Sequence, residues 1–225
     1  MVKCTYLGHA CVLLDDGKHK VLTDPFLTGN PMAAAKAENV ECDYILVSHA
    51  HGDHLGDAPQ IAKRTGAKVV AIPEVIGVIE EQVGPVESCP MNLGGSLKTP
   101  FGKVRMTMAF HSSGVAGGIA CGFVITFADK VVYFAGDTSL FHDMKLIGRK
   151  DFLDYALLPI GDNYTMGLED AALAAQWLNT KNVIPIHYNT WPVIVQDVER
   201  YKMLTEQTSK AQVHIVKPGE TIELK

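Results

Sequence analysis

The chain has 225 residues, of which 47% are hydrophobic and 20% are charged, which excludes a disordered chain, a collagen and a coiled coil. Its formal net charge of −5 gives no electrostatic reason to expect a nucleic acid or an anionic membrane as a partner. The apolar runs are about eight residues long, well short of the roughly 20 that span a bilayer, and the amino end lacks the apolar core of a signal peptide. We therefore expect a cytoplasmic protein that binds neither nucleic acid nor membrane.

The first half of the chain predicts strands followed by a helix and strand alternation. Four β-like runs come first, at residues 2–7, 11–14, 20–23 and 44–47. The fourth run is apolar throughout, which is typical of a strand buried on both faces. Helical patterns at 57–65 and 73–83 then flank a strand at 68–72.

The second half repeats this order. Three β-like runs cover residues 103–110, 121–127 and 131–134, with a hairpin turn at Asp129-Lys130. The patterns that follow predict helices at 140–147, 168–178 and 195–205, and strands at 155–158, 183–186, 212–216 and 220–224. No linker separates the two halves, so we predict one domain over residues 1–225. Two such halves pack sheet on sheet with helices outside, which predicts an α/β fold with four layers, an αββα sandwich.

The five cysteines are odd in number and include no C-x-x-C pair, so they predict neither a disulfide framework nor a thiolate zinc site. We interpret all five as small buried apolar residues: Cys4, Cys11, Cys42, Cys89 and Cys121.

Residues 49–54 place three imidazoles and one carboxylate directly after the apolar run at 44–47. The carboxyl end of an interior strand is where open α/β sheets bind ligands, and Gly52 lets the backbone turn there. His49 and His51 can share one side of an extended segment, whereas Asp53 and His54 turn toward a neighbouring position. This arrangement suits two metal ions better than one.

Three further polar residues each follow an apolar strand and can complete such a site: His111, Asp137 and His187. A catalytic zinc takes about three protein ligands and keeps a position open for water. Taken singly, each of these residues is better explained as a strand-end side chain that caps a helix or bonds the backbone. Together with the cluster, they predict a metal site.

The pattern His49-x-His51-x-Asp53-His54, with His111, Asp137 and His187 at later strand ends, resembles the metallo-β-lactamase superfamily over nearly the whole chain. Three shorter segments are similar to a branch of small metal-dependent hydrolases akin to ascorbate-phosphate lactonase: Leu7-Gly8-His9-Ala10, Gly136-Asp137-Thr138 and Pro185-Ile186-His187-Tyr188-Asn189-Thr190. The resemblance implies the αββα sandwich, with the site at the edge between the two sheets.

The resemblance also implies the role of each residue. One ion would be held by His49, His51 and His111, the other by Asp53, His54 and His187, with Asp137 and a hydroxide bridging the two. Asp53 would also orient the hydroxide as a catalytic residue, and Asp24 would support a ligand, although it can equally be a turn residue before Pro25. Five imidazoles favour zinc, while the carboxylates also suit manganese, iron, cobalt or nickel.

His9 follows a strand and a glycine, so we interpret it as a catalytic residue, either a substrate contact or a proton donor, with a buried structural histidine as the alternative. Four residues just past strand ends are candidates to line a pocket: Asn163, Tyr164, Asn189 and Trp191. His142 follows Asp137 closely, but a solvated helix surface explains it as well.

These features predict a dinuclear metal-dependent hydrolase that cleaves an ester, lactone, amide or phosphodiester bond of a small-molecule substrate. The alternative is a regulatory protein that holds metal or ligand at the same residues without turnover. The residues decide neither the identity of the substrate nor whether the protein forms a homo-oligomer.

Overall fold

The computed structural model describes residues 1–225. Its fourteen strands are, in chain order, β1 (Val2–Gly8), β2 (Cys11–Asp15), β3 (Lys20–Thr23), β4 (Tyr44–Leu46), β5 (Lys68–Ala71), β6 (Ser88–Pro90), β7 (Ser96–Thr99), β8 (Gly102–Met108), β9 (Cys121–Phe127), β10 (Lys130–Phe134), β11 (Tyr155–Pro159), β12 (Asn182–Ile186), β13 (Gln212–Val213) and β14 (Thr221–Leu224). The helices are α1 (Gly52–Leu55), α2 (Ala58–Thr65), α3 (Pro73–Val83), α4 (Met144–Asp151), α5 (Leu168–Leu178) and α6 (Val198–Thr208).

The strands form two seven-stranded mixed sheets, in the orders β14-β1-β2-β3-β4-β5-β6 and β13-β12-β11-β10-β9-β8-β7. In the first sheet β2 is antiparallel to both β1 and β3, and β3 to β6 are parallel, so β1, β3, β4, β5 and β6 all run in one direction. By the same reasoning β8, β10, β11, β12 and β13 run in one direction in the second sheet. The carboxyl ends of these five strands therefore lie along one edge of each sheet.

The side chains of a single strand alternate between two apolar cores, and this separates the layers. In β9, Phe123, Ile125 and Phe127 belong to the core that also contains side chains of the first sheet. The intervening Val124 belongs to the second core, beneath α4, α5 and α6. Because successive side chains of a strand point to opposite faces, one strand contributes to both cores. The predicted αββα sandwich is confirmed.

The starts of two helices differ from the predicted ones, and two short strands are additional. Helix α6 begins at Val198 rather than 195, because Asp197 caps it by accepting a hydrogen bond from the backbone of Arg200 at 3.0 Å. Helix α4 begins at Met144 rather than 140. Strands β6 and β7 were not predicted, since they have three and four residues and none of their side chains is fully buried.

Four of the five cysteines are buried, as predicted, while Cys89 in β6 is half-buried. None of the helices is both long enough and apolar enough to cross a membrane.

Candidate metal centre

The polar residues singled out in the sequence meet at the edge where the ends of the two sheets face each other. The first sheet supplies side chains after β1, β3 and β4, namely His9, Asp24 and residues 48–54. The second sheet supplies side chains after β8, β10 and β12, namely His111, Asp137 and His187. The backbone amide of His187 donates a hydrogen bond to the carbonyl of His9 at 2.7 Å, which ties the two sheets together at this point.

The four-residue helix α1 divides the histidine cluster. His51 is extended, with φ −62° and ψ 147°, and caps the helix that contains Asp53 and His54. The change from extended to helical backbone sends His49 and His51 to one side, and Asp53 and His54 to the other, as their spacing predicted. The helix itself was not predicted, because four residues show no helical periodicity.

Three imidazoles form one group of nitrogens. His49 Nε2 lies 2.9 Å from His51 Nδ1, and His111 Nε2 lies 3.3 Å from the same atom. Ligand atoms of all three residues lie within 4.8 Å of one another. Three imidazole nitrogens at this spacing are a donor set that zinc and other divalent transition metals favour.

Asp53, His54 and His187 form a second group, which also includes His9. Asp53 Oδ2 lies 3.7 Å from the Nε2 atoms of both His54 and His187. Those two Nε2 atoms are buried and have no hydrogen-bond partner. An unsatisfied buried polar atom costs about 1–3 kcal/mol, a cost that a cation removes by accepting the nitrogen lone pair. The residues of this group therefore fit a metal ion.

Asp137 lies between the two groups. Its Oδ2 atom is 3.2 Å from His54 Nε2, 3.1 Å from His187 Nε2 and 3.6 Å from His111 Nε2. Its Oδ1 atom is buried without a hydrogen-bond partner. One carboxylate therefore faces nitrogens of both groups.

Asp24 orients one imidazole of each group. Its Oδ2 atom lies 2.7 Å from His54 Nδ1 and accepts the Ser48 hydroxyl proton at 2.5 Å. The Ser48 oxygen is then free to accept from His49 Nδ1, at 2.9 Å. With both Nδ1 atoms protonated, the Nε2 lone pairs of His49 and His54 point into the site, which is the tautomer that metal ligation needs. The structure therefore supports the role of Asp24 that the resemblance implied.

His9 is completely buried behind Asp53. Its Nε2 lies 3.2 Å from Asp53 Oδ2, and its Nδ1 lies 2.8 Å from Thr190 Oγ1. Burial lowers the pKa of His9 to about 4, so the ring is neutral at physiological pH. His9 lines neither of the cavities described below, so in this structure its contact is with Asp53 and not with the space open to a substrate.

The carboxylates of the site are negatively charged. Burial by itself raises the pKa of Asp137, but the imidazoles of His54 and His187 hold it well below its usual range. Burial by itself lowers the pKa of His187, but Asp137 and Asp53 outweigh it and raise that pKa to about 9. Burial lowers the pKa of His49 to about 2. Without an ion, the ionised carboxylates therefore keep a proton on His187, and a divalent cation that bound there would displace this proton, because a ligand imidazole is neutral.

Backbone strain is concentrated at this edge. His9, Asp24, His187 and Asn189 all have positive φ angles, of 58°, 32°, 55° and 60°. A non-glycine residue in this region costs on the order of 1–3 kcal/mol and persists only where its surroundings hold it. Such clustering is typical of functional sites.

Two adjoining cavities open at the site. The inner cavity has a volume of about 350 Å³ and is lined by His51, Asp53, His111, Ser112, Asp137, Tyr164, His187 and Trp191. The outer cavity has a volume of about 610 Å³ and is lined by Phe26, Gly52, Asp53, Tyr164, Trp191 and Val193. Asp53, Tyr164 and Trp191 line both, so the two spaces lie side by side.

Of the four residues suggested as pocket lining, Tyr164 and Trp191 line the cavities. Asn163 and Asn189 do not, and the Asn189 side chain instead accepts a hydrogen bond from the backbone of Gln196. His142 is exposed and packs on Trp177, with ring centroids 5.7 Å apart, away from the site.

Sequence reasoning missed several residues of the site: Phe26, Ser48, Ser112, Thr190 and Val193. Ser48 carried a signal, because a hydroxyl next to a ligand histidine is a natural hydrogen-bond partner for its second nitrogen. Phe26 and Val193 carried none, since an apolar residue in a loop has no periodicity to mark it.

Comparison with known proteins identifies relatives over the whole chain. The sequence model of the beta-lactamase superfamily domain matches residues 19–188. A UPF0173 metal-dependent hydrolase of Natranaerobius thermophilus is 44% identical and covers 99% of this chain and 100% of the relative. A second, from Symbiobacterium thermophilum, is 49% identical and covers 97% of this chain and 98% of the relative. The solved structure of Igni18, a metallo hydrolase from the archaeon Ignicoccus hospitalis, is 37% identical with a TM-score of 0.91, covering 100% of this chain and 99% of that one.

Proposed function

Because this chain belongs to the metallo-β-lactamase superfamily, as a member of its UPF0173 metal-dependent hydrolases, we propose that it hydrolyses a small molecule with two divalent ions. The bond is an ester, a lactone or a phosphodiester. One ion is held by His49, His51 and His111, the other by Asp53, His54 and His187, and Asp137 binds both. The ions are zinc in this proposal, since five imidazoles and no thiolate surround them; manganese, iron, cobalt and nickel are the alternatives.

The observation that carries the proposal is the position of Asp137 between two separate groups of nitrogens. Its Oδ2 atom is 3.1 Å from His187 Nε2 in one group and 3.6 Å from His111 Nε2 in the other. A single ion in the first group would leave the buried, unpartnered Nε2 atoms of His54 and His187 without a cation, and a single ion in the second group would leave the three clustered imidazoles of the first without one.

Metal ions bound there lower the pKa of a coordinated water and stabilise the negative charge that develops on the substrate. The chain's own residues contribute orientation. Asp53 is 25% exposed and lines both cavities, so its carboxylate can accept a hydrogen bond from the attacking water and orient it. His9 positions Asp53 from behind through the contact at 3.2 Å. No serine or cysteine nucleophile is needed.

We also propose that the substrate is a small molecule of the cytoplasm. The protein then binds neither nucleic acid nor membrane. Neither cavity is lined by lysine or arginine, the residues that would hold a phosphate backbone.

The test is elemental analysis of protein purified without chelator, paired with turnover of ester, lactone and phosphodiester substrates. We expect two metal ions per chain and hydrolysis of one bond class. Two bound ions without any turnover would favour the alternative, a metal-binding protein that does not catalyse. No metal after reconstitution would refute the site itself.

Three single substitutions test the roles proposed for these residues. Asp137→Ala should lose both ions or nearly so, because the bridging carboxylate is removed. His9→Ala should keep both ions and turn over more slowly, because Asp53 loses a partner. His142→Ala is the matched control, a histidine close in sequence but outside the site, and should behave as the parent protein. Full metal content in the Asp137 variant would contradict the bridging role.

A further inference from the structure

An apolar cavity adjoins the metal centre, and we propose that it receives an uncharged aromatic or similarly bulky apolar group of the substrate. The substrate is then a molecule that carries a bulky apolar group beside the bond that is cleaved. This inference rests on the proposed function, which places the reacting bond at the metal centre, and it adds the class of the substrate.

The walls of the outer cavity are aromatic and aliphatic. The Phe26 and Trp191 rings lie 5.9 Å apart between centroids, at an angle of 35°. Tyr164 and Val193 line the same space and are 57% and 52% exposed. Exposed apolar side chains collected around a concave space mark a binding surface for an apolar group.

The outer cavity is fixed relative to the metal ligands. The Trp191 ring packs edge-on against His9, with centroids 4.9 Å apart and an interplanar angle of 64°. His9 in turn contacts Asp53. Since Asp53, Tyr164 and Trp191 line both cavities, a molecule whose reacting bond lies in the inner cavity extends its neighbouring group into the outer one.

The charges around this space select a neutral group. Asp53 is the charged residue of the outer lining, and Asp53 and Asp137 both line the inner cavity with the histidines. A free carboxylate or phosphate that entered the outer cavity would meet no cationic side chain, so this cavity favours a neutral group, whereas an anionic reacting bond in the inner cavity would face the proposed ions. A neutral ring loses only its contact with water and gains the aromatic walls. The volume of about 610 Å³ accommodates a ring with several attached atoms.

The first experiment measures binding apart from turnover. The chain has two tryptophans, so Trp177→Phe leaves Trp191 as the fluorescent reporter in the cavity. The probes are 4-phenylbutan-2-one, which cannot be hydrolysed, butan-2-one, which lacks the ring, and dimethyl phosphate, which carries the charge. We expect half-saturation by 4-phenylbutan-2-one at a concentration at least tenfold below that of butan-2-one in both metal-loaded and metal-free protein, and at least tenfold below that of dimethyl phosphate in metal-free protein, where no ion attracts the phosphate. Equal response to all three probes would overturn the inference.

The second experiment compares kcat/KM for methyl phenylacetate and methyl acetate in a proton-release assay with metal-loaded protein. We expect methyl phenylacetate to exceed methyl acetate at least tenfold, and Trp191→Ala to reduce that ratio at least tenfold. Val195→Ala is the control, an exposed apolar residue outside the cavity lining, and should keep the ratio of the parent protein.

The two proposals fail in different ways. Ester hydrolysis with no preference for the aromatic substrate, unchanged in Trp191→Ala, overturns the inference about the cavity and leaves the proposed function standing. Binding of 4-phenylbutan-2-one as expected, with two ions bound and no substrate hydrolysed, overturns the proposed function and supports the apolar cavity.

Discussion

Replacing Asp24 by asparagine tests whether Asp24 orients the candidate ligand histidines, because the substitution leaves those histidines in place. Asp24 is fully buried and takes part in three contacts: Oδ1 accepts from the Ser48 amide at 2.7 Å, and Oδ2 lies 2.5 Å from Ser48 Oγ and 2.7 Å from His54 Nδ1. Asparagine has the same shape, but one of its two terminal atoms is an amide donor. If the amide nitrogen takes the Oδ2 position, it faces the protons of Ser48 Oγ and His54 Nδ1.

His54 can relieve that conflict by moving its proton from Nδ1 to Nε2. The moved proton then sits on the nitrogen that faces Asp137, 3.2 Å away, where a metal ion would need a lone pair. His49 is affected only through Ser48, over 2.9 Å to its Nδ1 atom. We therefore expect the ion of the second group to be weakened more than that of the first.

The magnitude follows from the number of ligands disturbed. Loss of a hydrogen-bond partner behind one ligand histidine weakens metal binding about 10- to 100-fold, or ~1.4–2.8 kcal/mol. We expect this loss for the ion at His54 in Asp24→Asn, with a smaller loss for the ion at His49. The measurement is zinc affinity by competition with a chromogenic chelator, together with long-range ¹H–¹⁵N spectra, which report the tautomer of each histidine.

Asp154→Asn is the matched control. Asp154 also accepts a backbone hydrogen bond, from Val131 at 2.9 Å, but lies away from the site. Its zinc affinity should equal that of the parent protein. If folded Asp24→Asn binds both ions within twofold of the parent, the orientation by Asp24 is refuted.

Three further predictions concern stability. Gly148→Ala should destabilise the protein by ~1–3 kcal/mol despite the better helix propensity of alanine, because an added Cβ would meet the Leu178 carbonyl oxygen at 2.0 Å. Gly77→Ala, also in a helix interior but in open space, should stabilise it by ~0.5–1 kcal/mol, and equal urea midpoints for the two would contradict this packing. Burial raises the pKa of the Cys4 thiol from 9.0 to about 12, so its stabilising contribution is complete below pH 9 and declines above it. The free energy of unfolding should fall by ~1.4 kcal/mol per pH unit between pH 9 and 11 for this thiol, and Cys4→Ala should lack that part of the decline. Chelation should lower the urea midpoint, since free metal at 100 times its Kd adds ~2.7 kcal/mol, and an unchanged midpoint on restoring zinc would refute metal binding to the folded state.

The sequence by itself determined the sandwich and the identity of the candidate ligands. Apolar runs that end in a histidine or an aspartate are local patterns, and His111, Asp137 and His187 were found in this way. The four layers followed from a second pattern, a run of strands followed by helix and strand alternation, which occurs twice along the chain. That residues 1–225 form one domain, and that the named ligands hold ions, stay predictions.

Only the tertiary structure decided which residues touch across the edge between the sheets. His9 was read from the sequence as a substrate contact or proton donor, and the fold places it fully buried behind Asp53, 44 positions away. Asp24 reaches His54 across 30 positions, and Phe26 meets Trp191 from the opposite end of the chain. A contact between residues far apart in the chain leaves no periodicity in the sequence, because it depends on strand register and on how two sheets pack. The candidate ligands can therefore be identified from the sequence. The network that orients them and the apolar cavity beside them exist only in the folded chain.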